Sequence, residues 1–69
     1  MVEIFKTNIN DQGIADSILE NLMREMPTAE INFDLDDCDR ILRIKDGHIC
    51  VETIIQLLQK LGFACQLLD

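Results

Sequence analysis

The chain has 69 residues, of which 13 are acidic and 6 are basic, so its formal net charge is −7. A chain of this length forms one domain, residues 1–69, and buries only about 60% of the surface that its unfolded form exposes. The acidic balance disfavours nucleic acid and an anionic membrane surface as partners, because both require a basic face. It favours another protein with a basic patch, or a cation.

The three cysteines, Cys38, Cys50 and Cys65, are an odd number, and no two of them have C-x-x-C spacing. A secreted disulfide scaffold of this size normally has an even set, so we expect reduced thiols and a cytoplasmic protein. Met1 leads directly into a strand pattern with no basic segment or long apolar run, so we expect no signal peptide. The apolar stretches are too short for a membrane span, so we expect no membrane insertion.

The first half of the chain predicts a strand, a turn and a helix. Residues 2–7 are rich in β-branched and aromatic side chains, which are typical of a strand. Apolar residues then recur every three or four positions and predict a helix over about residues 12–26. Asn10 or Asp11 can cap this helix, and Pro27 helps to end it.

The apolar stripe of the first helix includes two of the three methionines. Ile14, Ile18 and Leu22 lie four residues apart, and Met23 and Met26 fall at core spacing beside them. This spacing places both methionines in the core and argues against a copper–thioether role for them.

The second half of the chain predicts two strands at residues 30–36 and 40–45. A helix follows from Val51 and ends at Gly62, and a short last strand covers residues 63–68. Two one-sided helices on so short a chain must cover one face of a sheet. The strand–helix–strand unit crosses over right-handed and leaves room for the third strand between the first two. The sequence therefore predicts an α+β, ferredoxin-like βαββαβ sandwich with antiparallel sheet order 4-1-3-2 and both helices on one face.

Three segments carry a resemblance to a known family: the loop at residues 9–14, the second strand at residues 30–35, and the last helix with its Gly62-Phe63 turn. They resemble the heavy-metal-associated (HMA) domain of copper chaperones and metal-transporting ATPases, over nearly the whole chain. The resemblance implies a ferredoxin-like fold and a role in heavy-metal binding or trafficking. In that family two cysteines of the first loop hold Cu(I) or Zn(II). Those positions align with Asp11 and Ile14 here, so the two-thiolate site does not carry over.

Two other pairs are candidate metal ligands. Asp11 and Cys38 are expected at the same end of the sheet, where carboxylates beside the thiol would form a relocated site; the alternative is a plain charged hairpin turn. His48 and Cys50 are the second candidate pair, for Zn(II), and the helix N-terminus favours the Cys50 thiolate. The alternative there is an exposed turn histidine next to an ordinary capping thiol. Cys65 is expected to pack inward as a small apolar side chain.

The sequence offers no catalytic set. Ser17 is the only serine, no Gly-rich phosphate loop is present, and the first loop lacks the arginine that acylphosphatases of this topology need. We therefore expect a small non-catalytic HMA-like domain linked to metal homeostasis. The alternatives are a metal-independent protein-interaction or regulatory module and a small-molecule sensor. Lys60 is expected to balance the charge of Asp11 and the acidic hairpin.

Overall fold

The computed structural model describes residues 1–68 and contains four strands and two helices. In chain order they are β1 (Val2–Thr7), α1 (Gln12–Glu25), β2 (Glu30–Asp34), β3 (Ile41–Lys45), α2 (Val51–Lys60) and β4 (Cys65–Leu67). The strands form one antiparallel sheet in the order β2-β3-β1-β4, which is 4-1-3-2 counted from the other edge. The predicted α+β class with a four-stranded antiparallel sheet and two helices is confirmed.

One face of the sheet carries the core. The β1–β3 register places Phe5 opposite Leu42. Because side chains alternate along a strand, Ile44 points to the same face as Leu42. Buried residues of both helices join these strand residues in a single cluster, so both helices pack against this face. The cluster consists of Phe5, Ile9, Ala15, Ile18, Leu22, Leu42, Ile44, Ile54, Leu58 and Cys65.

The helix ends follow local capping. The Asp11 carboxylate accepts a hydrogen bond from the Ile14 N–H at 3.1 Å, which satisfies one free donor of the first turn of α1. Met26 is the C-cap of this helix and directly precedes Pro27. Gly62 follows α2 with a φ of 95°, a left-handed conformation that favours glycine.

The β2–β3 connection is longer than predicted, because β2 ends at Asp34 and β3 begins at Ile41. Arg40 adopts a φ of 47°, which no regular strand contains. Its N–H donates to the Asp37 carbonyl at 3.0 Å, and its guanidinium donates to the Leu35 carbonyl. These bonds close a turn over residues 35–40 and take them out of the strand ladder.

The last strand is shorter than predicted for a similar reason. The N–H of Phe63 donates to the Leu58 carbonyl at 2.9 Å, which closes the end of α2. The N–H of Ala64 donates to the Asn8 side-chain oxygen at 3.0 Å. Both donors are therefore engaged before β4 begins at Cys65.

Met23 is not in the core, and the sequence prediction for it was wrong. Its side chain is 53% exposed. An α-helix turns by about 100° per residue, so Met23 lies about 140° around the axis from the buried Ile18. Met26, in contrast, is half-buried and packs against the core.

Membrane insertion was not expected from the sequence. Within residues 1–68, neither helix combines the length and apolar character needed to cross a membrane.

Candidate functional site

The β2–β3 turn brings three potential metal ligands together. The carboxylate oxygens of Asp37 and Asp39 and the Cys38 sulfur lie within 4.8 Å of one another. The Asp37 carboxylate also accepts the Asp39 N–H at 2.9 Å, and Asp39 forms an ion pair with Lys6 at 3.6 Å. Both carboxylates thus have structural partners within the fold, and the Cys38 thiol is free and exposed.

The predicted pairing of Asp11 with Cys38 is not among the ligand groups found in residues 1–68. The Asp11 carboxylate instead caps α1 through the Ile14 N–H. Lys60 does not form an ion pair with Asp11 in the described part of the chain either. Its side chain lies along a groove between the helices.

This interhelical groove has a volume of about 970 Å³. It runs between the end of α1, the loop after β3 and the length of α2. Its floor is apolar: Leu22 and Ile54 are buried beneath it, and Met26 and Leu57 are half-buried along it. Its rim is polar: Glu25, Asp46 and Lys60 supply charges of both signs, and His48 lies beside them.

The groove exists because the helices do not fill the space between them. The α2 residues that line it recur at helical spacing and are small, polar or aliphatic, with Thr53, Gln56 and Leu57 among them. At one end the Thr28 hydroxyl donates to the Asp46 carboxylate at 3.4 Å and joins the turn after α1 to the loop after β3. The result is an open, apolar-floored channel rather than an enclosed pocket.

His48 and Cys50, the second predicted pair, both line this groove. Cys50 is the N-cap of α2, as predicted, and its thiol is exposed. The Thr53 hydroxyl donates to the Cys50 sulfur at 3.0 Å and lowers the pKa of that thiol. Within residues 1–68, the pair does not belong to any group of three or more closely spaced ligands. It therefore lacks the four ligands of a structural zinc site.

Sequence reasoning placed His48 and Cys50 in one loop but missed the groove that they border. Thr53, Gln56 and Lys60 recur at three- and four-residue spacing along one side of α2, next to the apolar Leu57. A polar row beside an apolar row on a short helix is the pattern that could have indicated a partly open helix face.

Comparison with known proteins gave no match: no family model, no curated protein and no solved structure is similar to this chain at the required significance. The resemblance to the HMA family therefore rests on the segments quoted above.

Proposed function

We propose that this chain is a non-catalytic, HMA-like binding module with a ferredoxin-like layout, which binds a segment of another protein in the interhelical groove. The groove itself carries the proposal. Enclosed pockets for small ligands typically measure about 300–1,000 Å³ and bury most of the ligand. This groove reaches about 970 Å³ but is open to solvent, which suits an elongated ligand lying along two helices.

The chemistry of the groove favours an amphipathic helix as the ligand. Helix-in-groove recognition uses an apolar stripe that packs on an apolar floor, and here Leu22, Ile54 and Leu57 supply that floor. The net charge of −7, together with Glu25 and Asp46 at the rim, favours basic residues beside that stripe. Charge complementarity of this kind increases the association rate and excludes acidic competitors.

The HMA-like part of the proposal is supported by the element order and by two local features. The α1 N-terminus directly follows the loop that holds Asp11, one of the positions that align with the cysteines of the family. Gly62 closes α2 in a left-handed conformation before Phe63, as the glycine–aromatic turn of the family requires. Because the aligned residues are Asp11 and Ile14, the module acts through protein contacts rather than through a two-thiolate metal site.

The test uses a fluorescently labelled 18-residue peptide of leucine and lysine with one apolar face, titrated with the protein and followed by anisotropy. Leu57→Ala removes half-buried groove surface and is expected to weaken binding about fivefold, which corresponds to about 1 kcal/mol. Leu61→Ala is the matched control, because Leu61 is exposed at the end of the same helix and does not line the groove.

The control is expected to bind the peptide as tightly as the unchanged protein, and circular dichroism checks that both variants fold. A peptide with glutamate in place of lysine tests the charge argument and is expected not to bind. Equal binding by Leu57→Ala and the unchanged protein would rule out the groove as the binding site.

A second candidate function is metal binding at the β2–β3 turn, which the 4.8 Å grouping of Asp37, Cys38 and Asp39 favours. One thiolate and two carboxylates suit Zn(II) better than Cu(I), because Cu(I) prefers sulfur ligands. Amide NMR titration of the reduced protein with each ion provides the test. Saturation at one equivalent with shifts centred on Cys38, abolished by Cys38→Ser, supports this site. Shifts confined to His48 and Cys50 would place the metal site in the groove instead. The absence of any saturable shift would rule out metal binding.

A further inference from the structure

Strand β2 lies at one edge of the sheet and pairs only with β3 in the described part of the chain. Edge strands present free backbone groups to which another strand can bind, and natural proteins often block them with lysine or proline. The β2 sequence, Glu-Ile-Asn-Phe-Asp, contains neither residue. The opposite edge, β4, is only three residues long, so β2 is the longer open edge.

The register shows which backbone groups of β2 point outward. The Asp46 N–H donates to the Met1 carbonyl, so these two residues form a hydrogen-bonded pair. In an antiparallel ladder every second pair is hydrogen-bonded, so Ile44, two residues before Asp46, also directs its backbone groups to β1. The β3 residues between them, Arg43 and Lys45, direct their backbone groups to β2. The same alternation leaves the N–H and C=O groups of Ile31 and Phe33 directed away from β3. The backbone groups of Glu30, Asn32 and Asp34 face β3 instead.

On the sheet face away from the helices, charged and polar side chains of β2 and β3 lie next to each other. Glu30 lies opposite Lys45, and the Arg43 guanidinium donates to the Asn32 side-chain oxygen at 3.3 Å. Basic residues of β3 thus neighbour acidic or polar residues of β2. Cross-strand pairs of opposite charge stabilise a sheet, so a strand added beside Glu30 and Asp34 fits best with basic side chains on this face.

The helix-covered side of the same edge is incompletely buried. Ile31 and Phe33 are half-buried, whereas their β3 partners Ile44 and Leu42 are 0% exposed. Met23 leaves further apolar surface uncovered on α1, the helix that packs against β2. Apolar side chains of an added strand would cover the exposed parts of Ile31 and Phe33.

We propose that the β2 edge binds an extended segment of a partner protein in which apolar residues alternate with lysine or arginine. The segment adds a fifth strand: its backbone pairs with Ile31 and Phe33, and its basic side chains lie beside Glu30 and Asp34. This site is distinct from the interhelical groove and does not depend on binding there.

A second copy of this chain fits the edge poorly. The most extensive antiparallel self-pairing is centred on Asn32 and places Glu30 opposite Asp34 of the other copy. Like charges directly opposite each other destabilise a sheet, and each copy carries a net charge of −7. The charge of the edge therefore indicates a basic partner of different sequence.

The experiment uses a nine-residue peptide of alternating lysine and valine and follows amide hydrogen exchange of the protein by NMR. The amides of Ile31 and Phe33 are expected to exchange at least about tenfold more slowly with the peptide bound, because they become hydrogen-bonded. A peptide with glutamate in place of lysine is expected to give no protection.

Glu30→Lys combined with Asp34→Lys is expected to abolish the protection. Glu20→Lys combined with Glu52→Lys is the matched control, because it changes the net charge equally on exposed helix positions away from the sheet. This control is expected to retain the protection apart from a general weakening.

Loss of protection in both double variants would show that net charge alone drives binding and would overturn the proposal. Binding without protection of Ile31 and Phe33 would do the same. Protection of these amides without peptide at rising protein concentration, together with a dimer in sedimentation, would show that the edge binds a second copy of the chain. That result would overturn the proposal of a basic partner.

Discussion

The Thr53 hydroxyl donates a hydrogen bond to the Cys50 sulfur at 3.0 Å across the first turn of α2. This bond is the main cause that lowers the pKa of the Cys50 thiol, because it stabilises the thiolate. Cys50 is exposed and lines the interhelical groove, so one end of the groove carries a thiol that ionises more readily than an ordinary cysteine.

Thr53→Val is expected to raise the pKa of Cys50, because it removes the donor and keeps the side-chain shape. The measurement is the rate of Cys50 alkylation by iodoacetamide as a function of pH, resolved from the other cysteines by peptide mass spectrometry. The midpoint is expected to move to higher pH in Thr53→Val and to stay in place in Thr53→Ser. An unchanged midpoint in the valine variant would show that the hydroxyl does not tune the thiol.

Because the Cys65 thiol is buried, we expect the free energy of unfolding to fall in alkaline solution. Burial raises its thiol pKa from 9.0 to about 11. Between these values the unfolded state has released the proton and the folded state still holds it, so the free energy of unfolding falls as pH rises from about 9 to about 11. Urea unfolding at several pH values is expected to show a shallower decline for Cys65→Ala than for the unchanged protein.

The comparison in that experiment is between slopes, because removing the sulfur from the core also lowers stability by an amount that does not vary with pH. All other ionisable groups are the same in both proteins, so the difference between the slopes reports on Cys65. Parallel curves would mean that the Cys65 thiol ionises equally easily in the folded and unfolded states.

Thr7 is a buried polar residue whose hydroxyl joins two segments. It donates to the Arg40 carbonyl at 2.6 Å and accepts the Ile9 N–H at 3.2 Å. Thr7→Val leaves both backbone groups without this partner, so we expect a loss of about 1–3 kcal/mol in the free energy of unfolding. Thr7→Ser keeps the hydroxyl and is expected to lose less in urea titration. Equal losses would assign the effect to packing of the methyl group.

The HMA-like proposal predicts that the first loop can accept the cysteines of the family. Asp11→Cys combined with Ile14→Cys places two thiols where the Asp11 carboxylate already reaches the Ile14 N–H at 3.1 Å. We expect the double variant to gain one equivalent of Co(II) or Zn(II) binding, seen as thiolate-to-Co(II) absorption. Asp11→Ser combined with Ile14→Ser is the control and is expected to gain none. Failure of the cysteine variant to gain binding would count against an HMA-like loop geometry.

The helices and strands and the positions of the helix ends could be predicted from the sequence. The hydrophobic periods indicated all six elements. Local residues also mark the helix ends: Asp11 caps α1, Cys50 occupies the N-cap position of α2 without a side-chain cap bond, and Gly62 follows α2. These features depend on residues within a turn of one another, so the sequence contains the information directly. Burial of Cys65 was expected because it behaves as a small apolar side chain in the last strand, and its side chain is buried.

The tertiary structure alone decided the features that depend on contacts between distant segments. The apolar stripe of α1 is continuous in sequence, but in the assembled fold Ala15, Ile18 and Leu22 are buried whereas Met23 is 53% exposed. The strands were shortened by hydrogen bonds such as that from Ala64 to Asn8, which join residues far apart in the chain. The interhelical groove and the open β2 edge arise in the same way, because the spacing of packed elements is a property of the assembled fold rather than of any segment.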